Sequence, residues 1–267
     1  PPTDADWVLM ESTYGNRDHG STEGAREQLA RVVRETAARG GRVLVPAFAV
    51  GRTQELVYDL HQLVEAGEIP RLPIYIDSPL ATKATEVFER NADVFDQTEG
   101  FVRSHNGTSL FQFPLLQYTP DREDSKALSR ATGPMVIISA SGMCESGRIV
   151  HHLQLGASNP RNTILIVGFQ GQHTLGRRIV ERRDTIKTFG VDVPLRAQVA
   201  VLDGYSAHAD RTELSKWLHA VRAKSPRLKD VFLVHGEPEA QEAFAQDLRE
   251  RGYRAHIPTA GERISLG

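Results

Sequence analysis

Glu11, Asp77, His208, Asp210 and His235 each stand where an extended apolar run of the 267-residue sequence gives way to a loop. Imidazoles and carboxylates are common zinc ligands, so Glu11 with the two histidines could make half of a metal site. The same three groups could equally make an acid/base pair with a carboxylate to orient it. The usual chelating signatures, His-x-His and His-x-x-x-His, do not occur. His151-His152 is the one adjacent pair. Neighbours i and i+1 point to different faces of a helix, so the pair is a poor chelate and reads as a helix-surface pair. Cys144, the only cysteine, reads as a small buried thiol.

The elements around these residues are legible. Val231–Val234 reads as a buried strand with His235 and Gly236 at its carboxyl end, and Pro238 suits the first turn of a helix. A strand over Gln198–Leu202 leads through a loop to His208, and Asp210 with Glu213 three residues on predicts a capped helix start. Asp6–Ser12 reads as a buried strand that ends at Glu11. Ala25, Leu29, Val32, Val33 and Thr36 have the spacing of a packed helix face. Strands are predicted over Arg42–Phe48, Leu72–Ile76, Met135–Ile138 and Thr163–Val167. Helices follow them, with an exposed lobe and short helices over 91–130, and shorter strands over 187–202 with a turn at Val193-Pro194. This alternation argues for a layered α/β fold with a mostly parallel sheet flanked by helices. The small-residue loop Ser139–Arg148 leaves two readings open: a strand-to-helix cradle for an anion, or a tight turn built on its glycines.

Net charge is −2, from 32 basic and 34 acidic residues, so no global cationic field advertises nucleic acid. A local basic groove remains compatible with that total. One cysteine excludes an internal disulfide framework and a multi-cysteine metal site, and fits a cytoplasmic protein. No run is long and apolar enough to span a bilayer, so no membrane partner is expected. The sequence opens Pro-Pro-Thr-Asp and enters an apolar strand at once, which predicts a piece of a longer chain.

Seven motifs occur in order: Glu11-Ser-Thr-Tyr-Gly, Pro46-Ala-Phe-Ala-Val-Gly-Arg-Thr-Gln-Glu, Ile76-Asp-Ser-Pro-Leu-Ala, Ser139-Ala-Ser-Gly-Met-Cys, Gly176-Arg-Arg, Tyr205-Ser-Ala-His-Ala-Asp and Leu233-Val-His-Gly-Glu. The set resembles the β-CASP branch of the metallo-β-lactamase-fold nucleases, in particular bacterial and archaeal relatives of the cleavage and polyadenylation endonuclease subunit. The resemblance runs over essentially the whole chain. It implies a zinc-dependent ribonuclease with two zinc ions and RNA as its partner. By resemblance His235 is a metal ligand, His208 the proton donor to the leaving oxygen, and Glu11 the carboxylate that orients His208. Weaker implied contacts to phosphate or RNA are Ser139, Ser141, Gly142 and Ser206, with Arg52, Arg148, Arg177 and Arg178. For each arginine a salt bridge is the competing reading.

The family's main metal-binding motif, His-x-His-x-Asp-His, is absent from the sequence. The resemblance therefore implies a last strand of an N-terminal metallo-β-lactamase segment at 1–15, a β-CASP domain at 16–199 and a C-terminal metallo-β-lactamase segment at 200–267. On this reading the longer parent cleaves RNA, and this chain alone holds no zinc tightly and is inactive. A homodimer would be unsurprising. The competing readings are a non-catalytic RNA-binding or scaffolding paralogue and a small-substrate hydrolase of the same fold. Retention of Glu11, His208 and His235 argues against the first, and the long insertion between Glu11 and His208 against the second.

Overall fold

The structure, a computed structural model, describes residues 4–20, 22–95 and 109–266. The chain divides into two compact units, Pro1–Gly20 with Ser206–Gly267 and, inserted between them in sequence, Ser21–Tyr205.

The inserted unit is built on a six-stranded sheet. Its strands are β2 (Arg42–Pro46), β3 (Ile74–Ile76), β4 (Leu116–Tyr118), β5 (Met135–Ser139), β6 (Thr163–Val167) and β9 (Gln198–Leu202). Their spatial order is β4-β3-β5-β2-β6-β9, and every pairing is parallel. Successive side chains of a strand point to opposite faces, and here both faces are covered. Val43, Val45, Val136, Ile138 and Leu165 join one core, with helices α1 (Thr22–Ala38) and α2 (Arg52–Glu65). Leu44, Met135, Ile137, Ile164 and Ile166 join the other, with α5 (Arg148–Gly156) and α6 (Leu175–Val180). That is why these strands read as unbroken apolar runs. The predicted inner face of α1 is buried at all five positions. Helices α3 (Pro79–Arg90) and α4 (Arg122–Arg130) complete the described helices of this unit.

Two expectations need correction, and a third lies partly outside the described residues. The exposed lobe expected over 91–130 falls in part on 96–108, which lie outside the described residues. The turn expected at Val193-Pro194 lies instead at Phe189-Gly190, between β7 (Thr185–Thr188) and β8 (Val191–Pro194). Both turn residues have positive φ, 48° and 80°. That backbone matches the twist of a two-residue hairpin. His151-His152 is not a surface pair. The two rings diverge as helix geometry requires, so His151 is exposed and packs on Phe189, while His152 is buried.

The discontinuous unit carries a three-stranded parallel sheet in the order β1-β10-β11. Its strands are β1 (Trp7–Glu11), β10 (Asp230–Val234) and β11 (Ala255–His256). Val8, Met10, Val231 and Leu233 face helices α7 (Arg211–Ala223) and α8 (Pro238–Glu250), which contribute Leu214, Leu218, Val221, Phe244 and Leu248. Leu9, on the opposite face, is 65% exposed. The fully buried strand expected over Asp6–Ser12 is therefore covered on one side only among the described residues.

Candidate active site

Strands β1 and β10 run in register, Glu11 opposite Val234, so Glu11 and His235 leave the sheet side by side at its carboxyl edge. Ser12 N–H donates to the His235 carbonyl (3.2 Å), and the Ser12 hydroxyl donates to the Val234 carbonyl (3.0 Å). Gly236 lies so close that a Cβ there would sit 2.7 Å from Ser12 Oγ. His235 itself has φ 50°. For a residue with a Cβ this left-handed conformation costs about 1 kcal/mol.

His208 comes from the loop that opens α7. The predicted cap is present in full: Asp210 accepts from Glu213 N–H (2.8 Å), and the Glu213 carboxylate accepts from Asp210 N–H (3.1 Å). The loop after β1 is laced to it. His19 N–H donates to Asp210 (3.3 Å), the His19 ring reaches the His208 carbonyl (3.1 Å), and Arg211 N–H donates to the Arg17 carbonyl (3.1 Å). The Ser206 hydroxyl accepts from His208 N–H (3.2 Å).

These supports bring Glu11, His208 and His235 together. Glu11 is locked at both oxygens, accepting from Thr13 N–H (2.8 Å) and Ala209 N–H (3.1 Å). Its carboxylate lies 3.4 Å from His208 Nδ1. The His208 and His235 rings stack with centroids 5.0 Å apart.

Thr13 is the residue the sequence reading missed. Its hydroxyl donates to the His235 carbonyl (3.1 Å) and lies 3.1 Å from His235 Nδ1 and 3.3 Å from His208 Nδ1. A hydroxyl has one proton and two acceptor lone pairs. With the proton spent on the carbonyl, both ring Nδ1 atoms are donors. Assigned from this network, both imidazoles carry their proton on Nδ1, and their Nε2 lone pairs remain for other partners. Sequence offers one signal for this: Thr13 lies two residues after Glu11, so it shares Glu11's side of the strand end. Thr13→Val removes the hydroxyl at nearly constant volume. The expected result is a mixture of His208 and His235 tautomers in ¹⁵N-resolved imidazole spectra. Unchanged Nδ1–H signatures in the variant would remove Thr13 from this role.

The donor set suits a metal chemically, since a carboxylate and two imidazoles offer ligand atoms all within 4.8 Å of one another. In the geometry present, however, Glu11 and Thr13 occupy the Nδ1 side of His208. The fit is two imidazole donors at Nε2, with both Glu11 oxygens spent on backbone N–H groups, rather than a closed set of ligands. His19, Asp210 and Glu213 also lie close together, but their groups are spent on the helix cap and the loop lacing.

The other candidates belong to the inserted unit. Ser139 is buried, and its hydroxyl donates to the Asp77 carbonyl (2.8 Å), which corrects its reading as a phosphate contact. Arg148 is corrected likewise. Its guanidinium is spent on the Asp77 carboxylate (2.8 Å) and the carbonyls of Thr119 (2.5 Å) and Pro120 (2.8 Å). Arg52 is largely buried, paired with Glu55 and 5.5 Å over the Tyr205 ring, so it too is a packing cation rather than an RNA contact. In the loop after β5, Ser141 N–H donates to the Ser146 carbonyl (3.3 Å) and Cys144 N–H to the Ser141 carbonyl (3.1 Å). Gly142 is buried against Phe48. This is the tight-turn reading of that loop. Cys144 is buried, and burial pushes its thiol well above the ordinary range, with Glu145 adding to the effect. Arg177 reaches Glu181 (3.2 Å) and the Gln170 carbonyl (3.3 Å), and Arg178 is exposed.

The strongest charge cluster of the inserted unit centres on Asp77, at the end of β3. Its buried carboxylate receives the His152 ring (2.6 Å), the Ser125 hydroxyl (2.7 Å), the Thr119 hydroxyl (2.8 Å) and Arg148. Burial alone would raise its pKa. The bonds from His152, Ser125 and Thr119 outweigh burial and hold it at about 2.

The parallel α/β architecture agrees with two family models. The Beta-Casp domain matches residues 53–179, and the Zn-dependent metallo-hydrolase RNA specificity domain matches 192–258. The chain belongs to the β-CASP family of the metallo-β-lactamase fold. Among curated relatives, Ribonuclease TTHA0252 of Thermus thermophilus is 40% identical over 268 residues, covering 100% of this chain and 59% of that protein. Transcription termination factor FttA of Pyrococcus abyssi is 32% identical over 267 residues, covering 97% of this chain and 40% of its own length. FttA of Thermococcus kodakarensis is 32% identical over 237 residues, covering 86% and 36%. The chain thus spans at most about three fifths of these relatives.

Proposed function

We propose that this chain is part of a zinc-dependent ribonuclease that hydrolyses RNA phosphodiester bonds. The observation that carries the reading is the convergence of Glu11, Thr13, His208 and His235 at one sheet edge. His235, with Nδ1 held by Thr13, offers Nε2 as a metal ligand. His208, oriented by Glu11 and Thr13, holds a proton at Nε2 when it is imidazolium and gives it to the departing oxygen. Two zinc ions, when bound, would activate water and steady the attacking and leaving oxygens. Ser206 and the arginines Arg177 and Arg178 remain as contacts to the RNA backbone. The inserted unit corresponds to the β-CASP lobe and the discontinuous unit to the metallo-β-lactamase part. No helix among the described residues is long and apolar enough to cross a membrane. The lone buried Cys144 fits a reducing cytoplasm. No feature of the described residues argues for a homodimer.

With His235 as its one assigned ligand, this chain is expected to hold zinc weakly and to leave RNA intact. After dialysis against a weak chelator, elemental analysis should find well under one zinc per chain. A protein extended to the length of the relatives should hold two and cleave RNA. Two tightly held zincs on the 267-residue protein, or RNA cleavage by it, would overturn this division of labour.

A further inference from the structure

Helix α7 buries Leu214, Leu218 and Val221 on one face. Its other face borders an open groove of about 710 Å³, walled on the far side by α8 and the turn after it. The fixed charges in its lining are Arg211, Lys216, Arg222 and Arg251 against one carboxylate, Asp247. Counting Asp18, which pairs with Arg211 (3.3 Å), four cations stand here against two carboxylates, in a chain whose net charge is −2.

The groove is also set up for a ligand. Asp247 is already held by Arg251 (3.0 Å), which limits its repulsion of an anion. The Arg222 guanidinium lies 4.4 Å over the Tyr253 ring and donates to the Gly252 carbonyl (3.3 Å), so it is fixed in place. Neither the Lys216 nor the His219 side chain has a partner among the described residues, and the Ser215 hydroxyl oxygen is buried without one. From Arg211 to Arg222 the tract runs roughly 16 Å at 1.5 Å per residue. A single small anion needs one such cation cluster; a row of this length fits successive phosphates of an extended strand. It begins at Arg211, three residues after His208.

We propose that this α7–α8 groove is a second RNA-binding site, which holds backbone phosphates of the strand that leads to the catalytic cluster. The proposal rests on the reading that the substrate is RNA, but not on cleavage. The test is fluorescence anisotropy of a labelled single-stranded oligouridylate with the 267-residue protein at several salt concentrations. Each phosphate contact to a single strand contributes about 0.7 to the slope of log affinity against log salt. Lys216→Gln/Arg251→Gln should flatten that slope by about 1.4 and weaken binding, and Lys216→Gln alone, an exposed helix position, by about 0.7. The readout is binding and not cleavage, which separates this site from the catalytic assignment. Lys187→Gln/Arg196→Gln, on the inserted unit, should leave the slope unchanged. An unaltered slope in the folded groove variants, an equal loss in the Lys187/Arg196 pair, or binding to phosphatidylserine vesicles but not to RNA would each overturn the proposal.

Discussion

Asp77→Asn is expected to destabilise the inserted unit by about 3 kcal/mol or more. Removing one partner of a buried ion pair leaves the others uncompensated, and such losses run at about 3–5 kcal/mol. Here the partners left behind are the buried His152 ring and Arg148, drawn from α5, with Ser125 on α4 and Thr119 after β4. One carboxylate thus ties together three segments around the end of β3. In urea, the midpoint of the transition should fall by about 1 M. The effect has a defined pH window. The folded pKa is about 2 against an ordinary value of 3.8, so the stabilisation is fully present above pH 3.8. It fades as pH falls through 2. That depression corresponds to about 2 kcal/mol. The gap between the native protein and the variant should therefore narrow between pH 4 and pH 2. A gap that stays constant across that window would show that the loss comes from packing and not from the charge.

His208→Ala is expected to lower single-turnover RNA cleavage by about 10²–10⁴-fold in the metal-loaded protein of full relative length, the range for loss of a positioned acid or base. RNA affinity and zinc content should stay as they were, because the proposed reading makes His208, held by Glu11 and Thr13, the proton donor and His235 the ligand. His235→Ala should behave differently and lose zinc together with activity. This split separates proton donor from ligand, which activity alone would not. If His208→Ala keeps its rate within threefold, or loses zinc as His235→Ala does, the two roles are wrongly assigned.

Much of this was legible in the sequence, and the parts that were not share a cause. Buried parallel strands such as Val43-Leu44-Val45 announce themselves because both faces are apolar. The capping box at Asp210 and the Pro238 helix start are local chemistry and were read directly. Glu11, His208 and His235 stood out as strand-end polar residues, although their roles came from the family resemblance. Partner choice was not legible. Nothing local to His152 or Arg148 says that each spends its polar group inside the unit, because Asp77 lies 75 residues from His152 and 71 from Arg148. Thr13 was hidden for a similar reason. Its partners are 195 and 222 residues away in sequence, and a threonine beside a tyrosine in a turn suggests no chemistry by itself. The hairpin turn was misplaced because a proline at 194 is a louder local signal than the Phe189-Gly190 pair that makes the turn.

The pairing of β1 with β10 also sets a schedule for synthesis. Residues 7–11 leave the ribosome some 220 residues before the strand they must pair with. At about 5–20 residues per second, β1 waits roughly 10–40 s as an unpaired, partly apolar ribbon. The inserted unit can complete itself in that interval, and α1 and the turn at Asp203–Tyr205, near its two ends, contact each other once it has folded. Its folding thereby shortens a very long loop closure to a short one before β10 emerges. The sheet edge that carries Glu11 and His235 is assembled last, and its yield depends on how well a nascent β1 is kept from other partners while it waits.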